Sequence, residues 1–224
     1  MINVLLNYYN FDGEWARQYL QNIVTDKRVL IIPLAFRESQ AWDNASWQSV
    51  YGKHGEKYDN ILKPFLEYGY AESDIDWLNC YDGKDHVKQI QNASLLFFTG
   101  GMPEKAIMRM AELGITDAVR NFNGVVMGAS AGAMLQLELY HITPDEDYGS
   151  YEICRGLGMV RGFDLEVHYL ATDLQNECTD RAVKQLGLPV YQMRHEGGLI
   201  VQNGTITVMG QVNKIGGIKK SPTQ

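Results

Sequence analysis

The chain has 224 residues, 45% of them apolar, and a formal net charge of −7. That length and apolar share suit one α/β domain over residues 1–224 with a sizeable core, and the acidic balance argues against nucleic acid or an anionic membrane, both of which reward clustered Lys and Arg. Cys80, Cys154 and Cys178 form no CxxC pair and read as free thiols; with no basic leader and no apolar run near the ~18–20 residues of a membrane helix, a cytoplasmic protein is expected.

Val4-Leu5-Leu6 predicts a first strand and residues 12–24 a helix. Residues 29–34 predict a second strand, followed by a long amphipathic region over 43–68 that Pro64 interrupts. A third strand is expected within 76–80, and Leu95-Leu96-Phe97-Phe98 is a strongly apolar fourth. Residues 103–119 follow as a helix with Pro103 near its first turn, and Gly124-Val125-Val126-Met127 is another short buried strand. Strands alternating with helices in this way predict a three-layer αβα sandwich around a mostly parallel sheet. Beyond Ser130 the pattern changes. Residues 163–169 and 190–193 read as strands, and 199–201 and 205–208 as a hairpin about Asn203-Gly204, so the C-terminal part is expected to be partly antiparallel. The polar tail 216–224 is expected to be loose.

Gly128-Ala129-Ser130-Ala131-Gly132 lies between a buried strand and the apolar run Ala133-Met134-Leu135. This is the GxSxG pattern in its strand–turn–helix setting, where small neighbours let a tight turn lift the serine hydroxyl clear of the backbone. The plainer reading is a small-residue turn packed against the sheet. A second glycine turn, Thr99-Gly100-Gly101-Met102-Pro103, also ends a strand and opens a helix, so both turns fall at the carboxyl edge where sites on such sheets form. Of five histidines, His168 lies in the alternating run 164–169 and is the candidate base, the alternative being a satisfied core histidine. His54, His86 and His141 lie in polar or irregular surroundings, and His195 lies between Arg194 and Glu196. Asp145, in an acidic stretch after Pro144, and Glu196, before Gly197-Gly198, are candidate orienting acids that spacing alone does not distinguish. No metal-ligand spacing and no dinucleotide fingerprint occurs, so neither metal nor cofactor is expected.

The glycine pair Gly100-Gly101, the run Gly128-Ala129-Ser130-Ala131-Gly132-Ala133 and the pair His168-Tyr169 resemble the serine peptidase family that holds dipeptidase E and cyanophycinase. The resemblance runs from Val4 to the closing hairpin and implies the class I glutamine amidotransferase-like fold, with serine where the amidotransferases carry cysteine. It implies Ser130 as nucleophile, His168 as general base, Asp145 or Glu196 as third member, and the amides of Gly101 and Ala131 as oxyanion donors. It also implies small peptide substrates and an arginine, matched here by Arg181, that meets an acidic substrate side chain. The chain departs from the family at Met102-Pro103, where relatives often carry a polar residue, and over residues 138–148. An esterase-type α/β hydrolase and a non-catalytic binding protein on the same scaffold are the rival readings.

Overall fold

The structure, a computed structural model, describes residues 1–26 and 28–217. Its first strand, β1 (Ile2–Leu6), buries Val4, Leu5 and Leu6 completely. A strand apolar on both faces needs a layer on each side. Those layers come from the elements that follow: α1 (Glu14–Leu20), β2 (Val29–Ile32), α2 (Asn44–Tyr51), α3 (Tyr58–Glu67), β3 (Ile75–Trp77), α4 (His86–Asn92), β4 (Leu95–Phe98), α5 (Pro103–Glu112), α6 (Thr116–Arg120), β5 (Val125–Ala129) and α7 (Ala131–Met134). The chain continues through β6 (Leu139–Ile142), β7 (Glu152–Arg155), β8 (Asp164–Glu166), α8 (Asp173–Leu186), β9 (Val190–Gln202) and β10 (Thr205–Ile215).

The strands run in the order β10-β9-β1-β5-β4-β2-β3, with β8 also beside β9; β6 and β7 form a separate pair. From β1 to β3 all neighbours are parallel, whereas β9 is antiparallel to β1 and β10. The expected three-layer sandwich with its partly antiparallel end is therefore the observed architecture. Period-two alternation divides the core cleanly. Val29, Ile31, Leu95 and Phe97 pack with Ala16, Leu20, Trp47, Ile61 and Phe65 of α1–α3 on one face. Leu30, Ile32, Leu96 and Phe98 pack with Ile90, Ala106, Met110 and Val119 of α4–α6 on the other.

The expected boundaries shift where backbone geometry overrides apolar periodicity. The 43–68 region is two helices separated at Gly52, while Pro64 stays inside α3. The 103–119 helix is likewise two, because Gly114 turns at φ 67° between α5 and α6. Residues 190–193 and 199–201 belong to one strand, β9, and the pair β6–β7 was not anticipated. The turn at Asn203-Gly204 has φ of 50° and 77°, the doubly positive geometry of a tight hairpin. Of the polar tail, residues 218–224 lie outside the described residues. No described helix is long and apolar enough to cross a membrane.

Phe97 is fully buried, with its ring 5.2 Å from Phe65, 5.8 Å from Phe11 and 6.0 Å from Tyr9. Phe97→Ala is expected to destabilise the protein by about 3–5 kcal/mol through lost burial and a residual cavity, read from urea unfolding. A loss below about 1 kcal/mol would show that this face is not a close-packed core.

Candidate active site

Between β5 and α7 the chain reverses on one residue, Ser130, at φ 53° and ψ −118°. Positive φ is uncommon for a side chain-bearing residue and marks stored strain. The flanking glycines make the turn sterically accessible. A Cβ on Gly128 would lie 2.1 Å from the Gly132 carbonyl oxygen, and one on Gly132 would lie 2.1 Å from that of Phe98. The Ser130 amide donates to the Leu6 carbonyl at 2.9 Å, which ties the turn to the end of β1. α7 has only four residues, too short for a helix dipole to act on the hydroxyl. Across from it, the Gly100 amide donates to the Tyr9 hydroxyl at 2.7 Å. Gly101, at φ 133°, leaves no room for a Cβ against the Ala35 carbonyl.

His168 meets the serine. Its Nε2 lies 2.7 Å from Ser130 Oγ. The predicted strand over 163–169 ends at Glu166, and His168 itself sits at φ 54°. Three neighbours hold it there. Its amide donates to Asn7 Oδ1 at 2.7 Å, its carbonyl accepts from Gln175 Nε2 at 3.0 Å, and the Tyr8 ring packs 4.5 Å from the imidazole. Burial lowers the His168 pKa below its usual value, against the opposing charges of Glu166 and Asp145. A neutral imidazole can accept the Ser130 proton at Nε2, which leaves its own proton on Nδ1. That Nδ1 is buried and has no hydrogen-bond partner among the described residues.

Neither candidate acid fills that position. Glu196 is an exposed residue of β9. Asp145 lines the cavity in front of Ser130, but its Oδ1 accepts the amides of Asp147 and Tyr148 at 2.8 and 3.0 Å, closing a turn of its own loop. Arg181 lies on α8 with its guanidinium 4.1 Å from the centre of the Tyr151 ring, and it does not line the cavity. The amides of Gly101 and Ala131 donate to no protein acceptor among the described residues.

No protein-family model matches the sequence, and no curated protein matches it. Solved structures do. A protein of Listeria monocytogenes EGD-e described as a candidate peptidase E superposes with a TM-score of 0.63 at 13% identity, over 92% of this chain and 96% of that one. A peptidase from an acI-B1 actinobacterium superposes with a TM-score of 0.56 at 15% identity, over 96% and 93%. The chain shares their fold. The expected likeness to peptidase E thus holds at the level of architecture.

The sequence reading missed two residues. Asn7, directly after β1, is fully buried; its Oδ1 takes the His168 amide and its Nδ2 donates to the Arg194 carbonyl at 2.7 Å. His141 on β6 is also buried, with Nδ1 2.7 Å from Asp164 Oδ2 and Nε2 2.7 Å from Glu166 Oε2. Thr143 Oγ1 donates to the same Glu166 oxygen at 2.7 Å. The two acids stand at i and i+2 of β8, the spacing that points side chains to one face; that was the available signal. The cavity beside Ser130 measures about 330 Å³, and its lining includes Asp145 and Glu166 but no Lys or Arg.

Burial by itself would lower the His141 pKa, but hydrogen bonds to Asp164 and Glu166, with their charges, outweigh it and push the value from 6.5 up to about 9. A folded-state pKa above the unfolded one stabilises the protein fully below pH 6.5, and this stabilisation is lost as pH rises through about 9. Chemical denaturation is therefore expected to show a stability decline on the order of 3 kcal/mol across that window. His141→Gln should flatten it. An unchanged pH profile in the variant would remove His141 as its source.

Proposed function

We propose that the protein is a serine peptidase acting on short peptides. The observation that carries the reading is the 2.7 Å contact between Ser130 Oγ and His168 Nε2, made by two residues that both hold strained, positive-φ backbone. Strain of that kind persists only where the surroundings over-determine it, and it concentrates at working sites. The fold shared with proteins described as peptidases supports the same reading.

In this mechanism His168 takes the Ser130 proton as Oγ attacks the scissile carbonyl carbon. The tetrahedral oxyanion rests on the amides of Gly101 and Ala131. His168 then protonates the leaving amine, and water, activated by the same imidazole, releases the acid from the acyl-enzyme. The machinery is a dyad held by main-chain contacts, with Asn7 and Gln175 fixing His168 where a carboxylate would do so in a triad. Asp145 and Glu166 contribute charge across the cavity to the imidazolium that forms during attack. The arginine expected to meet acidic side chains is stacked on Tyr151, so a preference for them does not rest on Arg181.

Labelling with a fluorophosphonate is expected to modify Ser130 stoichiometrically, and Ser130→Ala should lower peptide hydrolysis by roughly 10³-fold or more while keeping the melting curve. A folded protein that neither labels nor turns over peptides belongs instead with the binding proteins. Hydrolysis of esters but not peptides would assign it to the esterases.

The pH profile is a separate check. Because only neutral His168 accepts the proton and burial lowers its pKa, kcat/KM should rise with a midpoint below 6.5. A rising limb centred above 6.5 would contradict the role given to this buried imidazole.

A further inference from the structure

On the other side of the glycine pair from the first cavity lies a second, of about 260 Å³, whose lining includes Tyr9, Arg37, Lys57, Asn60, Gly100 and Gly101. Gly101 borders both cavities, and a Cβ on Gly100 would lie 3.4 Å from the Ser130 Cβ, so the second cavity begins beside the nucleophile. The two differ in charge. The first holds the carboxylates of Asp145 and Glu166, with His141 bonded to Glu166, and no Lys or Arg. The second holds two cations and one acid, Asp147, which is ion-paired with Arg37. Lys57, at the start of α3, makes no ion pair among the described residues; its ammonium lies 5.8 Å from the centre of the Tyr51 ring. Its pKa is lowered by burial, which outweighs the opposing charge of Glu56; the charge of Arg37 adds a smaller push in the same direction. Burial still outweighs the charge of Glu56, so a half-buried ammonium with Arg37 lining the same cavity gains from a further anion placed there.

We propose that this second cavity binds a carboxylate of the substrate, with Lys57 as the principal cation and Arg37 beside it. The inference rests on Ser130 being the nucleophile and gives the substrate a direction. The acyl part, with a free ammonium, occupies the cavity of Asp145 and Glu166. The scissile carbonyl lies over Ser130, and the leaving residue carries its carboxylate to Lys57. Such a site selects short peptides, because a longer chain carries its terminal carboxylate beyond the cation. The carboxylate is that of the free C-terminus or of an acidic side chain on the leaving residue, and the two sources are separable.

The test compares Ala-Ala with its C-terminal amide, and Ala-Asp amide with Ala-Asn amide, in the parent protein, Lys57→Met and Lys57→Arg. The parent is expected to favour the carboxylate-bearing member of at least one pair by roughly 10- to 100-fold in kcat/KM, the usual worth of a charged hydrogen bond. Lys57→Met should collapse that ratio and Lys57→Arg should restore most of it. A preference in the first pair assigns the terminal carboxylate, and one in the second the side chain. The same ratios, measured by calorimetry as binding to Ser130→Ala, report the subsite without turnover. If no peptide is hydrolysed but Lys57-dependent carboxylate binding persists, the peptidase reading fails and the subsite stands. Equal binding of acid and amide, or a ratio unmoved by Lys57→Met, overturns the proposal.

Discussion

At Ser130 the backbone turns through φ 53° and ψ −118°, a conformation that costs a residue with a side chain on the order of 1–3 kcal/mol. β1, β4 and β5 hold it there together. The Leu6 carbonyl takes the Ser130 amide, while the close approach of Gly132 to Phe98 leaves no space for the turn to open toward β4. These three strands are adjacent in the centre of the sheet, and their residues are almost wholly buried. The strain is thus met by the most cooperative part of the core. Relaxing the turn would require pulling apart the layers on both faces.

The same edge of the sheet holds the second strained residue. Asn7 follows directly on the strand whose last carbonyl anchors Ser130, and its side chain receives the amide of His168. The separation of serine and imidazole is therefore set through two adjacent residues of one chain segment, Leu6 and Asn7. Such a short path explains how a 2.7 Å contact between positions 38 residues apart survives without a carboxylate on Nδ1. Behind His168, the buried pair of acids around His141 supplies fixed negative charge. The hydrogen bonds to both acids hold the His141 pKa well above its usual value, and Glu166 also borders the cavity.

How much of this the amino-acid order disclosed differs by feature. Apolar runs such as 95–98 and the small-residue setting of Ser130 identify strand, turn and fold class, because burial on both faces and the steric demands of a reversal act within a few residues. The glycine turn at 99–103 was legible for the same reason. The acids were not. Asp145 and Glu196 follow from acid type and neighbourhood, yet one carboxylate is spent on its own turn and the other points to solvent from an extended strand. Whether an acid reaches His168 depends on how β6, β8 and β9 dock, contacts between segments tens of residues apart. His141 was hidden likewise, since only the docking of β6 against β8 brings it to Asp164 and Glu166.

The loop after β6 decides how charge is distributed about the serine. Thr143 is tied to Glu166 of β8, Tyr148 donates to Glu104 of α5 at 2.8 Å, and Asp147 is paired with Arg37 in the segment between β2 and α2, so the loop is fastened at three places. Its alternate acids consequently serve different cavities. Asp145 lines one cavity with Glu166, whereas Asp147 lines the other and pairs there with Arg37, leaving Lys57 with no ion pair among the described residues. The cavities that meet at Gly101 are therefore lined by different charges, carboxylates in one and two cations with one acid in the other. In partly buried surroundings such charges are poorly screened. On the proposed peptidase reading, a substrate with its own charges separated along its length gains from one orientation and loses from the reverse, and that difference selects the bond presented to the Ser130 hydroxyl.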